Sequence, residues 1–174
     1  SAYNPLLTSG GSSGGAGSGL GTQMLPVADG SDMMGSLRNP GAFNNVIGYR
    51  PSTNVMSGRD ASQRPLSTSG PMGRNTADTI QLLKTIAVKD VGDDFSPMNL
   101  SGKKIAWLGD LNNYLALESG IIPLCEASLS QVSDAGASVD SVMPQFNFDD
   151  LWFCWTTLRH SGRASMKRFY DDPA

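Results

Sequence analysis

Two serines in the first forty residues stand where a backbone could do chemistry. Ser12 and Ser13 lie between glycine pairs, in Gly10-Gly11-Ser12-Ser13-Gly14-Gly15. Ser36 lies in Asp32-Met33-Met34-Gly35-Ser36-Leu37-Arg38-Asn39-Pro40. Glycine beside a serine lets the backbone approach a substrate closely and adopt conformations closed to other residues. Successive N–H groups in such a turn can converge on one point, which is the geometry of an oxyanion hole or an anion nest. A hydroxyl held beside such a point is placed to attack a carbonyl.

Further blocks follow in order: Phe43, then Val46-Ile47-Gly48-Tyr49-Arg50-Pro51-Ser52, then Ser69-Gly70-Pro71-Met72-Gly73-Arg74-Asn75-Thr76-Ala77-Asp78. Together with the two serine segments, these blocks resemble the amidase signature family in order and spacing. Several separated blocks in register arise by chance far less readily than one short motif. The resemblance continues weakly to the end of the chain. It implies an α/β fold with a mixed β-sheet flanked by helices, of which this chain is a part. It also implies a Ser–cis-Ser–Lys triad, with Ser36 as nucleophile and Ser12, on a cis peptide bond, bridging Ser36 to the base. The N–H groups of Met33, Met34, Gly35 and Ser36 would hold the oxyanion. Ser13, Asp32 and Arg38 match positions that support the loop through hydrogen bonds. The implied reaction is hydrolysis of a linear carboxamide to an acid and ammonia or an amine, through an acyl-enzyme. No metal and no organic cofactor is implied.

The chain departs from the family pattern in two places. The family's lysine lies on a strand well before the Gly-Ser segment, but only eleven residues precede Ser12 and none is lysine. The base is therefore not expected in this chain. Such a base must be neutral; an unperturbed lysine titrates near about 10.4, so burial has to lower it. Ala87-Val88-Lys89-Asp90 spells the lysine motif, yet on the wrong side of both serines, and it reads as a chance match. The second departure is Met34, which replaces the first of two glycines before the nucleophile. A side chain there narrows the backbone choices and crowds the substrate.

Rival chemistries are weaker. Gly11-Ser12-Ser13-Gly14-Gly15 fits Gly-x-Ser-x-Gly, the nucleophile elbow of an esterase, which needs an acid and then a histidine. His160 is the one histidine, and it ends a helical pattern, where a cation is structurally ordinary. Ser101-Gly102-Lys103-Lys104 matches Ser-x-x-Lys but reads as a turn before a strand. The Gly-rich run lacks the Gly-Lys-Ser/Thr ending of a phosphate loop. The non-enzyme alternative is an inactive truncated piece or an interaction module, with an open sheet edge and an uncovered apolar face.

Composition narrows the partners. The net charge is −3, from 13 basic and 16 acidic residues, so no basic face large enough for a phosphate backbone is expected, and nucleic acid is not an expected partner. No apolar run is long enough to span a membrane. Ser1-Ala2-Tyr3-Asn4-Pro5 has neither the charged start nor the apolar core of a secretion signal. A cytoplasmic, reducing setting follows as the expectation, with a small-molecule amide as substrate and a homodimer of the complete protein. A single histidine leaves no Cys/His cluster with metal-ligand spacing. Cys125 and Cys154 fall on apolar sides of helical patterns and read as buried free thiols. The start at Ser1 and the stop at Tyr170-Asp171-Asp172-Pro173-Ala174 give the expectation of a piece of a longer chain.

The positioning elements follow from periodicity. Residues 9–22 have the composition of a Gly/Ser linker, but they run straight into Gln23-Met24-Leu25-Pro26-Val27-Ala28-Asp29, which reads as a buried turn into a strand. Residues 26–75 are loop-rich, with a short strand in Val46-Ile47-Gly48-Tyr49-Arg50-Pro51. Asn75 or Thr76 caps a helix whose face is Ala77, Ile80, Leu83, Ile86 and Ala87. Lys103-Lys104-Ile105-Ala106-Trp107-Leu108 reads as a strand. Ile121, Ile122, Leu124, Cys125, Leu129 and Val132 predict a helix ended by Gly136, and Ala137-Ser138-Val139-Asp140-Ser141-Val142 predicts a second strand. That is a βαβ unit. A last helix starts near Asp149, with Phe148, Leu151, Trp152, Trp155 and Leu158 as its core side. The whole reads as one partial domain over 1–174: a signature core in 1–90, then the βαβ portion and terminal helix in 91–174.

Separate replacement of Ser36 and His160 distinguishes the two enzyme readings. In the complete protein, Ser36→Ala is expected to abolish amide hydrolysis while His160→Ala leaves it intact; loss in the His160 variant alone would point to the esterase triad.

Overall fold

The computed structural model describes residues 1–52, 54–56 and 66–161, so the C-terminal stretch 170–174 lies outside the described residues. The chain forms two compact units, Ser1–Phe95 and Ser96–Ala174.

The first unit carries both serine segments. Its elements are α1 (Gly14–Gly21), β1 (Val27–Asp32), α2 (Arg38–Phe43), β2 (Ile47–Gly48), β3 (Thr68–Gly73) and α3 (Thr76–Ile86). β3 is the central strand of a three-stranded antiparallel sheet, with β1 on one side and β2 on the other. Leu20 of α1, Leu37 before α2 and Met72 of β3 are fully buried against one another, with Ala16, Ala28 and Val46 packed around them. Burial of side chains this size stabilises by roughly 1.5–3 kcal/mol each. Leu37 therefore anchors the segment that carries Ser36 directly to the core.

The Gly-rich stretch is a helix, against its composition. Tertiary packing overrides propensity here. A Cβ on Gly17 would stand 3.1 Å from the Pro40 carbonyl oxygen, and one on Gly21 would stand 3.1 Å from the Asn44 carbonyl oxygen. Only glycine lets α1 lie this close to α2. The turn at 23–26 is exposed rather than buried as expected. It is held by polar contacts instead: the Arg74 guanidinium donates to the carbonyls of Leu25 and Leu20. The sequence pattern does not reveal α2, a six-residue helix with Pro40 in its first turn, where proline's missing N–H costs nothing. α3 starts as expected: the Asn75 side chain accepts from the Asp78 N–H at 2.8 Å.

In the second unit, β4 (Lys104–Trp107) and β5 (Ser138–Ser141) pair in parallel, and α4 (Ile121–Asp134) links them. This is the expected βαβ unit. Gly136, at φ +98°, follows the end of α4 in the left-handed region that glycine favours. α5 (Phe148–Ser161) follows, and the Tyr114 ring stacks on Phe148 with centroids 4.2 Å apart. Two expectations fail here. Trp152 is 63% exposed and Trp155 is half-buried, so they are not core. Cys125 is half-buried and Cys154 exposed; both are free thiols, but neither is buried. The cause is shared: neither α4 nor α5 has a buried residue, and a two-stranded sheet is too narrow to cover two apolar helix faces. The chain is α/β, with antiparallel and parallel pairing flanked by helices.

Backbone proximity gives a stability test. A Cβ on Gly48 would strike the Leu37 carbonyl, whereas one on Gly15 would meet nothing. Gly48→Ala is expected to destabilise by about 3 kcal/mol or more. Gly15→Ala should leave stability unchanged or raise it by about 0.5 kcal/mol through helix propensity. Urea unfolding of the two variants checks the contrast.

Candidate active site

The site is built on the C-terminal end of β1. Asp32, the last residue of that strand, has no solvent exposure. Its carboxylate accepts from the Gly35 N–H at 2.8 Å and the Leu37 N–H at 3.3 Å. The Arg38 side chain donates to both oxygens, from Nε at 2.9 Å and Nη2 at 3.0 Å. Arg50 adds a second cation, with Nε 3.6 Å from Oδ1. Burial alone would raise the Asp32 pKa. The Arg38 hydrogen bonds, the two backbone donors and the Arg38 charge outweigh it and hold the carboxyl well below its ordinary value of 3.8. Asp32 is therefore a fixed anion around which the chain from Met33 to Arg38 wraps. Gly35, at φ +98°, supplies the left-handed residue that this tight wrap needs.

Ser36 sits between two residues whose N–H groups point at Asp32, and it is half-buried above Leu37. The Gly35 N–H, counted from sequence among the oxyanion donors, is engaged by Asp32. Of the four residues expected as oxyanion donors, Met33, Met34 and Ser36 do not donate to Asp32. The Met34 side chain is 49% exposed, so it lies over solvent-accessible space next to Ser36 rather than in the core.

The Ser12 loop lies against the same edge. The Gly11–Ser12 peptide bond is cis, as the resemblance implies. Ser12 is exposed. The Ser13 hydroxyl is tied to β1 next to Asp32, accepting from the Ser31 N–H at 3.3 Å and lying 3.4 Å from the Ser31 carbonyl. On the other side of the loop, a Cβ on Gly10 would stand 3.0 Å from Pro40 N and 3.1 Å from the Asn39 carbonyl carbon. The loop from Gly10 to Ser13 thus touches the chain before Ser36 at Ser31 and the chain after it at Asn39 and Pro40. The fold ties Ser13 to Ser31 beside Asp32 and sets Asp32 and Arg38 against the turn that carries Ser36; among the described residues no hydrogen bond joins the Ser12 and Ser36 hydroxyls.

Other sequence candidates lie elsewhere. Lys89 is exposed in the loop after α3, and His160 is exposed near the end of α5. Among the described residues, no group of three or more His, Cys, Asp or Glu side chains is placed to hold a metal. No helix among them is long and apolar enough to cross a membrane.

Sequence reasoning missed two contributors. Arg50 stands in a matched block, but only the fold shows that it faces Asp32. Asn44, fully buried, bridges the Ser9 and Pro40 carbonyls. The available signal was an amide directly after Phe43, where a helix end is favoured by Asn.

The Asp32 anion gives a pH prediction. Its folded pKa is depressed, so its contribution is complete above the ordinary carboxylate value of 3.8 and drains away as pH falls below that toward the lower folded value. Asp32→Asn is expected to destabilise by about 2 kcal/mol at pH 7. As pH falls below about 4 the gap between parent and variant should narrow progressively. Parallel urea curves at neutral and acid pH check this; a gap that widens in acid contradicts it.

Comparison with known proteins agrees with this geometry. A family model described as Amidase matches residues 1–153. The chain is 31% identical, over 164 residues, to a glutamyl-tRNA(Gln) amidotransferase subunit of Corynebacterium jeikeium (strain K411), covering 83% of this chain and 33% of that protein. In structure it is similar to a bacterial aryl acylamidase of the amidase signature enzymes, with a TM-score of 0.81 and 25% identity, over 98% of this chain and 38% of that one. It is also similar to the native peptide amidase from Stenotrophomonas maltophilia, with a TM-score of 0.65 and 27% identity, over 82% of this chain and 32% of that one. The chain spans about a third of the length of the curated relatives it matches. Alongside the Asp32-centred turn and the Ser12 loop of the first unit, the match over residues 1–153 means that the chain belongs to the Amidase family, the amidase signature enzymes.

Proposed function

We propose that this chain carries the nucleophile and the proton bridge of an amidase that cleaves the C–N bond of a carboxamide. Ser36 Oγ attacks the carbonyl carbon. Its proton passes to Ser12, whose own hydroxyl proton passes on to the base. The carbonyl π electrons move onto oxygen, held by N–H groups from Met33, Met34 and Ser36. The C–N bond then breaks, and the nitrogen leaves as ammonia or an amine after taking up a proton. Water attacks the resulting ester and releases the acid. Residues 1–11 contain no lysine, and no residue of this chain is assigned as the base. Ser13, Asp32 and Arg38 position the two loops. The amide is a small molecule, and the complete protein acts as a homodimer in a cytoplasmic setting.

One observation carries the reading. The turn from Met33 to Leu37 wraps a buried carboxylate, and the Ser12 loop packs against both flanks of that turn. That arrangement supports a preorganised hydroxyl next to free backbone donors. Removing one donor of this kind typically costs about 3–4 kcal/mol of transition-state stabilisation.

A second reading keeps the same acylation step but hands the released nitrogen to an acceptor. It is favoured by the similarity to a component of an amidotransferase. Ammonia release that depends on an added acceptor would select it. The inert or interaction reading draws on the exposed apolar side chains of α5.

A fluorophosphonate probe applied to the complete protein, in which the base is present, separates these. The expected result is covalent labelling mapped to Ser36 by peptide mass spectrometry, lost in Ser36→Ala and slowed at least about tenfold in Ser12→Ala. Labelling at Ser13, or none at all on folded protein, overturns the proposal.

A further inference from the structure

We infer that Asn44 is a positioning residue for the Ser12–Ser36 pair; this rests on the proposed roles of those serines. Asn44 closes α2 and its side chain is completely buried. Its Nδ2 donates to the Ser9 carbonyl at 3.0 Å and to the Pro40 carbonyl at 3.0 Å. Its Oδ1 accepts from the Ala2 N–H at 2.9 Å and the Ser18 hydroxyl at 3.4 Å. An amide has two donor hydrogens and two acceptor sites, and here all four are used.

The partners are distributed in a way that matters for chemistry. Ser9 begins the loop that leads to Ser12. Pro40 lies in the first turn of α2, just after Ser36. One rigid, planar group therefore holds the two chain segments by their carbonyls, while Ser18 and Ala2 fix the amide's other end. The surrounding glycines make room for it. A Cβ on Gly17 would stand 2.9 Å from Asn44 Nδ2, and one on Gly21 would stand 3.5 Å from Asn44 Cβ. The Gly-rich helix α1 is thus shaped around this amide as well as around α2.

The chemistry also selects the residue type. Aspartate has the same shape but offers no N–H; its carboxylate would face two carbonyl oxygens in a buried site. Alanine leaves the Ser9 and Pro40 carbonyls without this partner. Either change frees the Ser12 loop to shift against the Ser36 turn. A displacement of about 1 Å in such a pair can slow a reaction by about 10²-fold.

The experiment uses the complete protein, in which the base is present, and the fluorophosphonate probe, resolving the maximal labelling rate from the apparent probe affinity. Asn44→Ala and Asn44→Asp are expected to lower the maximal rate at Ser36 by at least about tenfold with affinity nearly unchanged. Gly17→Ala, which presses on the amide without removing it, should act in the same direction and covers the case in which an Asn44 variant fails to fold. Leu83→Ala, in the buried face of α3, is the control: it should lower the melting temperature but leave the labelling rate intact. A folded Asn44 or Gly17 variant that labels at the parent rate overturns this inference alone. A rate loss in Leu83→Ala equal to that of the Asn44 variants overturns it too, by reducing Asn44 to general stability. Absence of Ser36 labelling in the parent would remove the reading beneath it.

Discussion

A single buried carboxylate organises the site. Asp32 ends β1 with no solvent exposure, and an isolated anion there would be costly. The chain answers by folding back on it: two N–H groups and a bidentate guanidinium come from within six residues of sequence. That local closure forces the tight turn at Gly35 and points Leu37 into the core. It leaves Ser36 at the crest of the turn. The hydroxyl's position thus follows from electrostatics and burial acting on its neighbours, and Ser36 itself makes little of the structure that holds it.

The second constraint is close backbone approach. Three chain segments meet at van der Waals limits: α1, the Gly10–Ser13 loop, and α2 with β2. Gly17, Gly21 and Gly48 sit where any side chain would strike backbone or the buried Asn44. The glycine richness that resembles a linker in composition is therefore the signature of a compact junction. That junction packs the Gly10–Ser13 loop against the chain on both sides of Ser36.

Much of this was legible in the residues. The βαβ unit, the Asn75 cap and the Gly136 stop follow from local chemistry, whereas the cis bond at Ser12 follows only from the resemblance to the amidase signature family. What was not legible depended on tertiary partners. α1 has poor intrinsic propensity and exists because of what it packs against. The Gly35 N–H cannot be assigned to Asp32 rather than an oxyanion without coordinates. Trp152 and Cys154 have the periodicity of a core face, yet periodicity shows which side of a helix is apolar and not whether anything covers it. Asn44 reads as loop polarity until its four partners are seen.

On the proposed reading, the Asp32-centred turn holds the Ser36 hydroxyl within reach of Ser12. A crystal structure of the fluorophosphonate adduct measures this most directly. The expected adduct has phosphorus on Ser36 Oγ, its phosphoryl oxygen directed at the N–H groups of Met33, Met34 or Ser36, and Ser12 Oγ within about 3.2 Å of Ser36 Oγ. An adduct on another residue, or two hydroxyls facing separate solvent regions, would contradict it.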